Sequence, residues 1–130
     1  MIVVDASALL EVLLGTPASA AVSARLFASG ESLHAPHLLD LEVVQVLRRY
    51  SSAGLLSESR AGEAVQDLQD FPLTRYPHDV LLGRIGELKR NMTAYDAAYV
   101  ALAEALPAIL VTRDARLARS HGIRAAVEVF

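Results

Sequence analysis

With 130 residues, 53% of them apolar and 21% charged, the chain has the length and composition of one folded domain and is too apolar to be disordered. It contains no cysteine, which excludes disulfides and thiolate metal sites and suits a reducing compartment. The net charge of −3 lacks the basic footprint of a passive nucleic-acid binder, and the dominance of arginine among the 12 basic residues suits bidentate phosphate contact but is equally what a coding bias gives.

The opening Met1-Ile2-Val3-Val4-Asp5 lacks the basic start of a signal peptide. No apolar run approaches the ~18–20 residues of a membrane span, so a cytoplasmic protein with no membrane segment is expected. Ile2–Val4 reads as a short buried strand, and Ala6–Leu14 as a helix closed by Gly15. Pro17 opens a second helix over 17–28, stopped by Gly30. Residues 33–35 form the next strand. Pro36 then opens a long helix whose Leu39, Val43, Val46, Leu47 and Tyr50 make an apolar stripe ending near Gly54.

Ser57 caps a polar helix running to about Asp70. Leu73–Tyr76 is a weaker strand, because Pro72 and Pro77 flank it. Pro77 starts a helix that reaches Asn91, and 95–106 is another. Ile109–Thr112 is a strand, 115–121 a helix and 124–129 the last strand. The histidines (His34, His37, His78, His121) show no i, i+4 pair and are expected on the surface or in loops. No linker or repeat interrupts the chain, so residues 1–130 read as a single domain. Strands alternating with helices predict an α/β fold with a parallel sheet covered on both faces. Ligands of such sheets sit beyond the carboxyl ends of the strands, so chemistry is sought where strands hand over to helices.

Acids stand at those places. Asp5 follows the first strand directly and Asp114 stands two residues after Ile109–Thr112. Asp96 opens an apolar helix, and Glu42 lies among apolar neighbours with Leu38 and Val46 one turn away. Asp5 and Asp114 also fit helix N-caps, and Thr93-Ala94-Tyr95-Asp96 fits a loose capping box. Glu42 has no such structural role. Asp40 lies about 200° around the helix from Glu42, and periodicity does not decide which faces inward. Acids converging without basic partners repel one another, a conflict that a hard cation resolves. Oxygen ligands without His or Cys point to Mg²⁺ or Mn²⁺.

In order along the chain, Val4-Asp5-Ala6-Ser7-Ala8-Leu9-Leu10, Ala35-Pro36-His37-Leu38-Leu39-Asp40-Leu41-Glu42-Val43, Thr93-Ala94-Tyr95-Asp96-Ala97-Ala98-Tyr99 and Leu110-Val111-Thr112-Arg113-Asp114-Ala115-Arg116-Leu117 resemble the acidic motifs of PIN-domain ribonucleases, of the VapC toxin type. The resemblance implies a three-layer α/β/α fold with a short central parallel sheet. It selects Glu42 over Asp40, and assigns Asp5, Glu42, Asp96 and Asp114 to catalysis and to a Mg²⁺ or Mn²⁺ site, with Thr112 and Ser7 in support. It also implies RNA hydrolysis by a metal-activated water, a homodimer, and an antitoxin protein whose tail covers helices beside the site. Leu9, Leu10, Val12, Leu13 and Leu14 exceed what one buried helix face needs, which suits either a partner groove or a helix buried all round.

Other readings are a PIN nuclease of RNA processing without a toxin role, or a catalytically silent PIN-like module that binds RNA or protein. A receiver domain would need a lysine at a late strand end, whereas Lys89 falls in a predicted helix. A haloacid-dehalogenase-type phosphatase would want an aspartate where Ser7 stands.

Overall fold

A computed structural model describes residues 1–90 and 92–130. The β-branched run Ile2–Val4 forms β1, the centre of a five-stranded parallel sheet, and all three of its residues are fully buried. The other strands are β2 (Leu33–Pro36), β3 (Leu73–Tyr76), β4 (Ile109–Thr112) and β5 (Val127–Val129), in the order β3-β2-β1-β4-β5. β1 pairs with β2 through Ile2 and Leu33, and with β4 through Val4 and Val111.

Strand order dictates where the helices go. The chain steps from β1 to β2 to β3 in one direction, then crosses to β4 and β5 in the other. Right-handed crossovers therefore put α1 (Ala6–Leu14), α2 (Ser19–Leu26), α3 (Leu38–Ser52) and α4 (Glu58–Asp70) on one face. They put α5 (Leu82–Glu87), α6 (Ala94–Ala105) and α7 (Ala115–Ala118) on the other. This is the expected three-layer α/β/α plan. The reversal falls between β1 and β4, so the crevice beyond their carboxyl ends is where ligands of such sheets bind.

Local signals account for most boundaries. Gly15 ends α1 with φ +62, a left-handed turn that glycine adopts without a Cβ clash. Ser57 caps α4 by accepting the N–H of Arg60, as predicted. In α6 the run from Ala97 to Ala103 is buried, its small alanines letting the helix lie close on β1, β2 and β4. Among the described residues no single helix is long and apolar enough to cross a membrane.

Three expectations need correcting. Pro36 ends β2, pairing with Tyr76, and α3 starts two residues later. The helix expected after Pro77 is a 3₁₀ turn, Asp79–Leu81, followed by the short α5. Glycines at 83 and 86 weaken it, and its predicted end at Asn91 lies outside the described residues. His34 is buried in β2, its two ring nitrogens bonded to Ser32 and Tyr76, while His37, His78 and His121 are exposed.

Candidate active site

Asp5 leaves β1 in extended conformation and caps α1, accepting the Ala8 N–H at 3.0 Å. Its carboxylate takes two more hydrogen bonds, from Ser7 Oγ at 2.6 Å and from Thr112 Oγ1. Both hydroxyls also accept backbone N–H groups from the segment after β4. Ser7 accepts from Arg113 at 3.0 Å and Thr112 from Asp114 at 2.9 Å. The two small side chains therefore tie the β4–α7 turn to the carboxyl end of β1. Burial pushes the Asp5 carboxyl above the usual carboxylate range, although Ser7, Thr112 and Ala8 pull it the other way, and the Asp96 charge adds to the rise. The helix cap and the buried acid are one residue, so the two readings of Asp5 describe the same side chain.

Glu42 lies half-buried on α3 and accepts the Tyr99 hydroxyl at 2.5 Å. Burial raises its pKa; Tyr99 opposes the rise, and Asp96 and Asp5 add to it. Tyr99 comes one turn after Asp96 on α6 and is itself buried, which holds its phenol protonated. Asp40 sits apart, bound to Arg75 at 2.8 Å, so the inward acid of the pair is Glu42.

Thr93 caps α6 by accepting the Asp96 N–H at 3.1 Å, which leaves the Asp96 carboxylate clear of the capping contact. Asp96 and Asp114 line a hollow of about 220 Å³ with Met92, Thr93, Arg116 and Leu117. A second, larger groove of about 600 Å³ is bounded among others by Ser7, Leu10, Glu11, Glu42, Tyr95 and Arg113.

Asp114 corrects the expectation that the acids lack basic partners. It caps α7 and holds Arg116 at 2.7 Å, which draws its pKa below the usual range. Among the described residues, no three acids stand together as a ready-made ligand set. The donor chemistry nevertheless suits a hard divalent cation. Asp5 and Glu42 are desolvated carboxylates in each other's field and that of Asp96, with no arginine or lysine bound to either among the described residues.

The apolar surplus of α1 divides between core and rim. Leu9 and Leu13 are core, whereas Leu10 lines the large groove with Leu41, Val46 and Tyr50. A partner-facing role for Leu9 and Leu13 is therefore excluded.

The PIN domain family model matches residues 2–122. Over 129 residues the chain is 43% identical to Ribonuclease VapC12 of Mycobacterium tuberculosis, covering 99% of this chain and 98% of that protein. Among solved structures, PAE2754 from Pyrobaculum aerophilum superposes with a TM-score of 0.72 at 27% identity, over 99% of this chain and 83% of that one. VapBC2 from Rickettsia felis, solved bound to a DNA fragment from its promoter, superposes with a TM-score of 0.75 at 14% identity, over 100% and 99%, a likeness of fold alone. A β3-β2-β1-β4-β5 sheet whose switch point lies beside Asp5, with these matches along the chain, places it in the PIN domain family, among its VapC ribonucleases.

Proposed function

We propose that the chain is a Mg²⁺- or Mn²⁺-dependent endoribonuclease and the toxin of a VapBC-type toxin–antitoxin pair, working in the cytoplasm. PIN-domain ribonucleases generally use a divalent metal. Here Asp5, Glu42, Asp96 and Asp114 are the residues to hold it, and when bound it supplies an activated water and offsets charge developing on the phosphate. Asp5 carries the reading. It is a buried carboxylate with three hydrogen-bond donors and, among the described residues, no arginine or lysine on it, at the sheet's switch point and in the field of Asp96.

The protein's own groups preorganise that chemistry. Ser7 and Thr112 each spend their single hydroxyl proton on Asp5, so both carboxylate oxygens are fixed in direction. Tyr99 holds Glu42 by one oxygen, Oε1. The Asp114 carboxylate becomes available when the exposed Arg116 swings away from it.

A cognate antitoxin is proposed for this chain on its kinship with VapC ribonucleases. Its tail would lie in the large groove, over Leu10, Leu41, Val46 and Tyr50. A homodimer is proposed as the working unit. In the decisive experiment the purified chain is given single-stranded RNA with Mg²⁺ or Mn²⁺. Cleavage is expected, and excess EDTA should abolish it; cleavage that continues in metal-stripped buffer overturns the metal reading. Expression in a bacterium should arrest growth, and the Asp5→Asn form should not. Harmless expression of a soluble, RNA-cleaving wild type removes the toxin role and leaves the nuclease.

A further inference from the structure

A strand of RNA brought to these acids meets a difficulty the acids cannot solve. The chain carries a net charge of −3, and Asp5, Glu42 and Asp96 stand in one another's field, so the site repels a polyanion. The segment leaving β4, Thr112-Arg113-Asp114-Ala115-Arg116, sets a guanidinium on each side of Asp114. Arg113 lines the large groove with Ser7, Glu11 and Glu42. Arg116 lines the smaller hollow with Asp96 and Asp114. Each depression therefore sets one arginine beside site acids, Arg113 with Glu42 and Arg116 with Asp96 and Asp114.

Both arginines have replaceable partners. Arg113 is 38% exposed and reaches Glu11 at 3.3 Å, while Arg116 is 80% exposed and holds Asp114 at 2.7 Å. Exposed pairs of this kind are weakly held and exchange readily for another anion. A guanidinium fork matches the oxygens of a phosphodiester and stays charged at any working pH.

We propose that Arg113 and Arg116 grip backbone phosphates of single-stranded RNA on the two sides of the linkage presented to the acids. The inference builds on the ribonuclease reading above and adds the path of the strand. Arg113 leaves Glu11 and Arg116 leaves Asp114 for phosphate, so loading of RNA also uncovers the Asp114 carboxylate. Because the contacts are to backbone, they set register and affinity and read no base.

The test is the salt dependence of binding, measured on the full chain carrying Asp5→Asn, with Mg²⁺ and a fluorescent single-stranded RNA. Each single-stranded phosphate contact adds about 0.7 to the slope of log affinity against log salt. Arg113→Gln and Arg116→Gln should each lower that slope by about 0.7, and the double variant by about 1.4. Arg113→Lys and Arg116→Lys keep the charge and should keep the slope. Arg48→Gln, on α3 in a separate hollow with Val44, Ser52 and Glu58, should leave it unchanged. Slopes equal to the parent's in both glutamine variants, with RNA still bound, overturn the proposal. If the parent fails to bind RNA at any salt and the wild type fails to cut it, the ribonuclease reading falls and takes this path with it.

Discussion

Tyr99 on α6 gives its hydroxyl proton to Glu42 on α3 at 2.5 Å, across 57 positions of sequence. The contact joins a helix from each side of the sheet, and it comes from an element that also carries Asp96 one turn earlier. Hydrogen bonds that orient a metal-binding side chain typically change affinity or activity by about 10–100-fold when removed. Tyr99→Phe should lower cleavage within that range and weaken Mn²⁺ binding measured by titration calorimetry. Unchanged Mn²⁺ affinity would show that Glu42 needs no such anchor.

Asp5→Asn should abolish cleavage while leaving the metal-free fold at least as stable at neutral pH. Asparagine still caps α1 through its side-chain oxygen. The ionised carboxylate it replaces is the form that burial penalises. A carboxyl raised above its ordinary 3.8 contributes stability that is complete below that value and lost as pH climbs through the folded pKa. Glu42 acts in the same direction above its ordinary 4.5. In EDTA, thermal melts from pH 7 downward should therefore show a smaller acid-side gain in Asp5→Asn than in wild type. A lower melting temperature for the variant at pH 7 would mean that the carboxylate's hydrogen bonds outweigh its burial.

Glu42→Gln should remove activity, whereas Asp40→Asn should retain most of it. Asp40 faces Arg75 in a partly exposed pair, and losing such a pair costs about 0.2–1 kcal/mol of stability. RNA cleavage assays on the two variants check the assignment directly, and the reverse order of activities would put the wrong face of α3 toward the site.

On α1, neighbouring leucines should behave differently. Leu9 is fully buried, and cutting a core leucine back to a small residue costs about 2–5 kcal/mol, so Leu9→Ser should lower the denaturation midpoint steeply. Leu10→Ser, at the groove wall, should spare the fold and weaken binding of a cognate antitoxin tail. Denaturant melts alongside a binding titration separate the two effects; a Leu10→Ser protein that binds the tail at full strength removes the groove from the interface.

The sheet was legible in the chain because Ile2-Val3-Val4 and Ile109-Leu110-Val111 are short apolar runs rich in β-branched residues, each followed by an acid. Asp5 and Asp114 were legible because they stand where β1 and β4 hand over to helices, and Glu42 and Asp96 because they are charges among apolar helical neighbours. Tyr99 was not singled out, though a phenol inside an otherwise apolar helix needs a polar partner, and that was the available signal. Periodicity marked α1 as over-apolar but could not say that Leu9 and Leu13 point to the core and Leu10 to the groove. Arg116 stands two residues from Asp114 in sequence, yet whether a long flexible side chain folds back on its neighbour is settled by local backbone geometry. Pro36 reads equally as a helix opener or a strand end, and the pairing with β3 decided it.

The hydroxyl of Thr112 reaches Asp5 across 107 positions of sequence, and the Asp5 N–H bonds to Val111 of the same distant strand. During synthesis, β1 leaves the ribosome long before its partner β4 exists. Closing so long a loop is slow, and nothing local can substitute for the missing strand. Asp114, too, follows β4 in the chain. The nascent polypeptide therefore lacks a finished site until β4 and Asp114 have emerged and docked, so a chain made beside abundant RNA stays unarmed while the elements from β1 to α6 are being translated.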